Sequence, residues 1–257
     1  MIKSDIEAFE IYKNVYFVGS SRVSVHIVKT AKGLVMVDTG YPDMLDQILS
    51  SMADLNLDPK DLCAIVHSHG HIDHIGCTIK LKEISNAKTY ISVEDNEIVN
   101  GNRNISGADY LGLPTPEPFS CDVLVKDGDL FDFGDVTLRC LLTPGHTEGV
   151  LTLFFTLEDG VVAAMHGGVG MNSMQLDWLN KYSLPLSLRD DFAKGIKRLR
   201  TEKVDLVLGN HPYQNDTPKL LENTKSGISN IDTEAWQKFL DWCDEKIKAL
   251  MAEGEAK

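Results

Sequence analysis

The densest run of chemistry-bearing side chains is His67-Ser68-His69-Gly70-His71-Ile72-Asp73-His74. Within it, His69, His71, Asp73 and His74 place three imidazoles and a carboxylate inside six residues, directly after an apolar stretch. Imidazole and carboxylate together suit zinc and similar divalent ions. Four such groups so close in sequence do not converge easily on one tetrahedral ion. Alternate residues of an extended segment can instead aim at one metal while the intervening pair aims at a second nearby. Two further histidines sit in turn-forming contexts, Thr143-Pro144-Gly145-His146-Thr147 and Gly209-Asn210-His211-Pro212, each after an apolar run. Taken alone, either would be as well explained as a surface histidine. Beside the first cluster, both become ligand candidates.

These residues need elements to hold them. Val15 to Val18, Val23 to Val28 and Leu34 to Val37 read as short strands of β-branched and aromatic residues, with Gly19 and Lys32-Gly33 as turns. From Asp43 to Leu55 the apolar period becomes helical, with Met44, Leu45, Ile48, Leu49 and Met52 recurring. Leu62 to Val66 is a buried-strand candidate feeding the histidine cluster, and Ile75 to Ile84 a helix leaving it. Residues 100–122 carry glycine, asparagine and proline signals and read as a loop of the kind that covers pockets. Strand signals return at Val123 to Val125, Val136 to Leu142, Leu151 to Thr156 and Val161 to Met165. An excursion over Asn172 to Leu188 precedes a helix over Arg189 to Glu202, then a strand over Val204 to Leu208. The tail, 233–251, is an amphipathic helix with Trp236, Phe239, Leu240, Cys243, Ile247 and Leu250 on one face. That helix serves equally to cover the core or to pair with another chain, which leaves the oligomeric state open. No linker or short repeat divides residues 1–257, which read as a single domain. Two halves, each strands then helices, suit a sheet-on-sheet sandwich covered by helices better than a doubly wound parallel sheet.

Composition narrows the function classes. Of 257 residues, 43% are hydrophobic and 25% charged, which excludes disordered and fibrous chains. The 25 Lys and Arg against 38 Asp and Glu leave a net charge of -13, unfavourable for binding nucleic acid. The basic strip Lys194 to Arg200 fits a solvated helix face. Five cysteines without CxxC spacing argue against a disulfide framework, with Cys63 and Cys140 read as small core residues. No run is long and apolar enough to span a bilayer, and Met1 to Glu7 lack the apolar stretch of a secretory signal, so a cytoplasmic location is expected.

His69-Gly70-His71-Ile72-Asp73-His74 matches the HxHxDH signature of the metallo-β-lactamase superfamily. Asp38-Thr39-Gly40 resembles that family's earlier Asp-Thr-Gly motif, and His146 in Pro-Gly-His-Thr resembles its next histidine ligand. The resemblance runs from about Val15 to Pro212 with the motifs in the family's order. It implies an α+β fold, the four-layer αββα sandwich: two mixed β-sheets face to face, helices outside, and a two-metal site at one edge. It also implies that His69, His71 and His146 bind a first zinc, and Asp73, His74 and His211 a second. Where many relatives carry a bridging aspartate, after Ala163 to His166, this chain has glycine. With Ser68 before the hexapeptide and His211 in a His-Pro pair, the ligand set is most similar to the third subclass of class B β-lactamases.

Other polar residues have plainer readings beside functional ones. His166 suits an accessory ligand, a substrate contact or a hydrogen-bond donor behind the ligands. His67 suits the core, and His26 has no assigned role. Asp38 suits a brace that orients ligands through hydrogen bonds, and Ser68 a supporting or substrate contact. The resemblance implies a hydrolase in which two zinc ions activate water, with Asp73 orienting it, to cleave an amide, lactam or ester carbonyl of a small molecule, β-lactamase-like activity included. A glyoxalase-like thioesterase or lactonase is the alternative, although such enzymes usually keep the bridging aspartate. Flavodiiron relatives typically carry glutamate at the place of His71. A catalytically silent metal-binding relative is the non-enzyme alternative.

Overall fold

The computed structural model describes residues 4–255. Met1, Ile2, Lys3, Ala256 and Lys257, part of the expected unit, lie outside the described residues. The first sheet takes β1 (Phe9–Tyr12), β2 (Val15–Phe17), β3 (His26–Thr30), β4 (Gly33–Val37), β5 (Leu62–Val66), β6 (Lys88–Ser92) and β7 (Val123–Val125), neighbours in that order. Its pairs are antiparallel from β1 to β4 and parallel from β4 to β7. The second sheet takes β8 (Leu130–Asp132), β9 (Thr137–Leu142), β10 (Leu151–Thr156), β11 (Val162–His166) and β12 (Leu206–Leu208). It is antiparallel except for the parallel pair β11–β12. The helices are α1 (Leu45–Asp54), α2 (Ile72–Ile75), α3 (Thr78–Ser85), α4 (Asn96–Val99), α5 (Leu176–Lys181), α6 (Leu188–Leu199), α7 (Thr217–Lys225) and α8 (Ala235–Glu255).

Alternation along the strands builds the layers. Phe17, Val35, Val37 and Val66 of the first sheet meet Leu138, Leu153, Phe155 and Met165 of the second in one core between the sheets. Their neighbours Leu34, Met36 and Ile65 point the other way and pack on Ile48 and Met52 of α1 and Leu81 of α3. On the far side, Phe154, Ala164 and Val207 face Phe192 and Ile196 of α6 and Trp236, Leu240 and Ile247 of α8. Strands buried on both faces carry continuous apolar runs rather than alternating ones. The order is therefore helix, sheet, sheet, helix, the expected αββα sandwich with mixed sheets. The tail helix covers the second sheet with the predicted face, and Trp236 is 1% exposed there.

Local differences from the sequence reading have identifiable causes. The strand expected over Val23 to Val28 begins only at His26. Ser24 N donates to Asn210 O instead of to a sheet neighbour, drawing Val23 to Val25 toward the His211 turn. The helix expected over Ile75 to Ile84 begins only at Thr78, because the chain breaks after α2 where Gly76 passes against Tyr41 and Pro42. A Cβ on Gly76 would lie 2.3 Å from Pro42 N, closer than packed atoms approach. All five cysteines are free, Cys140 buried and Cys63 partly so. Among the described residues, no helix is long and apolar enough to cross a membrane.

Candidate metal centre

Strands β5, β9 and β12 end at one edge of the sandwich, and each delivers a loop bearing candidate ligands. After β5 the chain bends at Ser68 and Gly70 and reaches His71, the extended N-terminal cap of α2, and Asp73 and His74 fall within that short helix. After β9 the turn at Gly145 has φ of 152°, and a Cβ there would meet Phe192 Cβ at 2.5 Å. Glycine thus allows the His146 loop to lie directly on α6. His211 precedes Pro212 in the turn after β12.

The six side chains converge. Donor atoms of His69, His71 and His146 lie within 4.8 Å of one another, as do those of His69, Asp73 and His74. His71 Nδ1 is 3.0 Å from His146 Nε2. Asp73 Oδ2 is 3.5 Å from His74 Nε2 and 3.6 Å from His211 Nε2. Two neighbouring clusters result, with Asp73 between the two imidazoles of the second.

The far sides of the rings are already bonded. His74 Nδ1 donates to Asp38 Oδ2 at 2.7 Å, His211 Nδ1 to Arg22 O at 2.8 Å and His146 Nδ1 to Gly170 O at 2.7 Å. Ser68 Oγ donates to Asp38 Oδ2 at 2.7 Å and accepts from His69 Nδ1 at 3.1 Å. With Nδ1 carrying the proton, Nε2 of these four rings presents a lone pair inward, whereas His71 turns its Nδ1 toward His146. His69 Nε2 is buried without a hydrogen-bond partner. A buried acceptor without a partner is costly, and a cation would satisfy this one. The residues present therefore fit a divalent metal.

Electrostatics favour the neutral form at four of the five imidazoles; at His74 burial is outweighed by Asp73 and Asp38, which raise its pKa. Burial and the neighbouring imidazoles hold His69 and His71 well below the usual histidine pKa, and burial holds His146 at about 4. Burial followed by the charge of His74 also lowers His211. Neutral imidazole is the metal-binding form. Burial disfavours the charge of Asp73, but His74, His211 and His71 outweigh it, and its pKa falls below the ordinary carboxylate value.

Other predicted residues take definite places. Asp38, wholly buried with φ of 60°, accepts from Ser68 N, Ser68 Oγ and His74 Nδ1, all at 2.7 Å. Ser68 is fully buried against Asp38, which puts it out of a substrate's reach. His166 faces Phe192 and Phe239 with its Nδ1 accepting from Gly168 N at 3.2 Å, and it stands outside both donor clusters. His67 is buried and bonds Thr78 Oγ1 through Nε2, and His26 bonds Gly209 O. The glycines after β11 also have a structural reason. A Cβ on Gly167 would lie 2.4 Å from Leu151 O, and one on Gly168 2.9 Å from His146 Cδ2. A bridging carboxylate has no room at either position.

Sequence reasoning missed Asp95. Its buried carboxylate accepts from Gly70 N at 2.8 Å, Thr147 Oγ1 at 2.7 Å and Gly149 N at 2.9 Å. It thereby ties the hexapeptide loop to the His146 loop. Burial pushes its pKa up to about 6. Nothing adjacent to Asp95 in sequence signals this role, because its partners come from two segments remote from it, the Gly70 loop and the Thr147 to Gly149 turn. Also missed was the wall of a cavity of about 230 Å³ over the centre, which includes Tyr41, Tyr110, Trp178 and Tyr213. Trp178 meets His71 edge to face at 5.6 Å, and Tyr213 stacks on His211 at 5.7 Å. Ser106, Gly107, Tyr110 and Leu111, from the predicted covering loop, complete one side.

A two-sheet sandwich with His and Asp clusters at one edge defines a class of metal-binding protein, and comparison with known proteins gives its family. The sequence profile of the metallo-beta-lactamase superfamily matches residues 18–164, more than half the chain. An uncharacterized protein of Aquifex aeolicus is 31% identical over 191 residues, covering 72% of this chain and 81% of that one. A HARLDQ-motif mutant metallo-beta-lactamase from Cronobacter sakazakii superposes with a TM-score of 0.88 at 25% identity, covering 98% and 99% of the two chains. A subclass B3 metallo-beta-lactamase of Bradyrhizobium japonicum has the same fold, with a TM-score of 0.88 at 24% identity and coverage of 98% and 96%. The chain belongs to the metallo-beta-lactamase superfamily.

Proposed function

We propose that this protein is a dinuclear zinc hydrolase that cleaves an amide, lactam or ester carbonyl of a small molecule. The observation that carries the reading is the outward tethering of the ring nitrogens at His69, His74, His146 and His211, which leaves lone pairs facing a common centre. His69, His71 and His146 would hold one ion, and Asp73, His74 and His211 the other. Bound there, the ions would supply Lewis acidity, polarising a carbonyl and lowering the pKa of water from about 15.7 toward 7.

The chain's own residues do the rest. Asp73 lines the cavity with a carboxylate whose pKa lies below the ordinary carboxylate value, so it can accept a hydrogen bond from water and orient it. Trp178 and Tyr110 limit the space beside His71 and keep bulk water from one side of the centre. A cavity of about 230 Å³ lies below the roughly 300–1,000 Å³ of drug-sized sites and suits a compact substrate. The net charge of -13 supports a small molecule over nucleic acid as partner.

The test is reconstitution with zinc followed by a panel of esters, lactones, a thioester and nitrocefin, repeated with chelator. Chelator-sensitive turnover is the expected result, abolished in Asp73→Ala and His71→Ala. Two zinc ions per chain with no turnover on any of the panel would make the protein a binder instead. Turnover confined to the thioester would replace the present reading with a glyoxalase-like one.

A further inference from the structure

The charges around the cavity are arranged in a way that bears on which carbonyl compounds it admits. Apart from the histidines, the one ionisable side chain with a formal charge at neutral pH among its described lining residues is Asp73. Aromatic rings form much of the remaining wall, and Tyr110 and Tyr213 are 57% and 63% exposed at the mouth. Three cations stand around this wall, each facing a carboxylate. Arg22 lies over the Tyr41 ring at 4.6 Å and pairs with Asp43 at 2.8 Å. Lys181 pairs with Asp109, next to Tyr110, at 2.8 Å. Arg103, at the start of the covering loop, pairs with Glu148 beside the His146 turn. Arg189 is buried and donates Nε to Met174 O, outside the cavity lining.

From this arrangement we infer that the cavity selects uncharged substrates, taking a neutral ester, lactone or amide with an aromatic or apolar group and discriminating against one bearing a carboxylate. The inference rests on the hydrolase reading for its chemistry, and on the wall alone for its selectivity. Metal ions in the centre would attract the reacting carbonyl of either kind of substrate, so the remote part of the molecule decides between them. A neutral ring packs against Trp178, Tyr110 and Tyr213 and buries apolar surface. A remote carboxylate finds no unpaired cation in the wall: it must exchange water for neutral donors such as Ser106, Asn172 and the tyrosine hydroxyls, or compete with Asp43, Asp109 or Glu148 for a cation already paired. Burying a charge without a partner is penalised, and a lost charge-assisted hydrogen bond corresponds to about tenfold or more in affinity.

Two matched pairs test this on the zinc-loaded protein. Phenyl acetate and 4-acetoxybenzoate differ by one carboxylate remote from the reacting carbonyl, and kcat/KM is compared directly. Acetanilide and 4-acetamidobenzoate repeat the contrast as amides, with Kd measured by calorimetry so that the answer does not depend on ester turnover. The expected result favours the neutral member about tenfold or more in each pair, and Asn172→Lys, a cation placed at an exposed lining position, narrows that ratio. Equal or better use of either anionic compound overturns the selectivity while leaving the hydrolase reading intact. Binding of neither amide also overturns it. Preferred binding of acetanilide with neither ester hydrolysed sustains the selectivity and counts against the hydrolase reading alone.

Discussion

Replacing Asp38 by Asn tests how the second cluster is held. Asp38 accepts three hydrogen bonds, and the one from His74 Nδ1 fixes the proton there and leaves Nε2 free to face Asp73. Asparagine keeps an acceptor for Ser68 N but turns an NH2 group toward Ser68 Oγ and His74. Nδ1 must then accept, and the imidazole proton moves to Nε2, the atom a metal needs. Asparagine is also the appropriate probe because Asp38 has φ of 60°, a region that Asn tolerates and most side chains do not. Loss of a carboxylate that orients a ligating histidine lowers metal affinity about 10- to 100-fold, or about 1.4–2.7 kcal/mol. Zinc titration of metal-free Asp38→Asn against a chromophoric chelator should show the second ion weakened by that factor and the first weakened less, because Asp38 reaches His69 only through Ser68 Oγ. Circular dichroism should confirm an intact fold. Wild-type affinity for both ions in this variant would refute the tautomer argument.

Three further outcomes are expected. Asp95→Asn presents an amide to Gly70 N, Thr147 Oγ1 and Gly149 N. It should cost about 1–3 kcal/mol by urea denaturation and loosen the first ion more than the second, whereas an unchanged midpoint would contradict the bracing role. Gly168→Asp should not restore a bridging ligand: its Cβ would lie 2.9 Å from His146 Cδ2, and at least tenfold weaker binding of the first ion is expected in the same titration. Burial holds His166 at a pKa of about 3, against about 6.5 in an unfolded chain. The unfolded state thus binds more protons between those values. The stability of the metal-free protein should be full above pH 6.5 and fall on acidification, with this residue contributing up to about 1.4 kcal/mol per pH unit. His166→Asn, which keeps an acceptor for Gly168 N, should flatten that slope in urea midpoints taken at pH 4.5 and 7, and an unaltered slope would contradict it.

What the sequence made legible follows from locality. His69 to His74 carry their chemistry within six residues, and His146 and His211 sit in Pro- and Gly-marked turns after apolar strands. The inter-sheet core was readable because β4, β5, β10 and β11 are buried on both faces and hence continuously apolar. The strands β1, β6 and β8 were missed. Each is short and partly exposed, and Leu130 of β8 is 64% exposed, so no strong pattern marks them. The helix α7 was missed as well, since Thr217 is its only buried residue. Asp95 and the aromatic wall share a different difficulty. Their roles exist only between segments remote in sequence, such as Trp178 against His71 and Tyr213 against His211. The break at Gly76 likewise depends on the Tyr41–Pro42 backbone passing beside it.

The dinuclear account is tested most directly by anomalous diffraction at the zinc absorption edge on crystals of the zinc-loaded protein. Two peaks are predicted. One should be bonded to His69, His71 and His146 and the other to Asp73, His74 and His211, with Zn–N distances of about 2.0–2.1 Å. A single peak, or zinc held by residues outside these six, would contradict it.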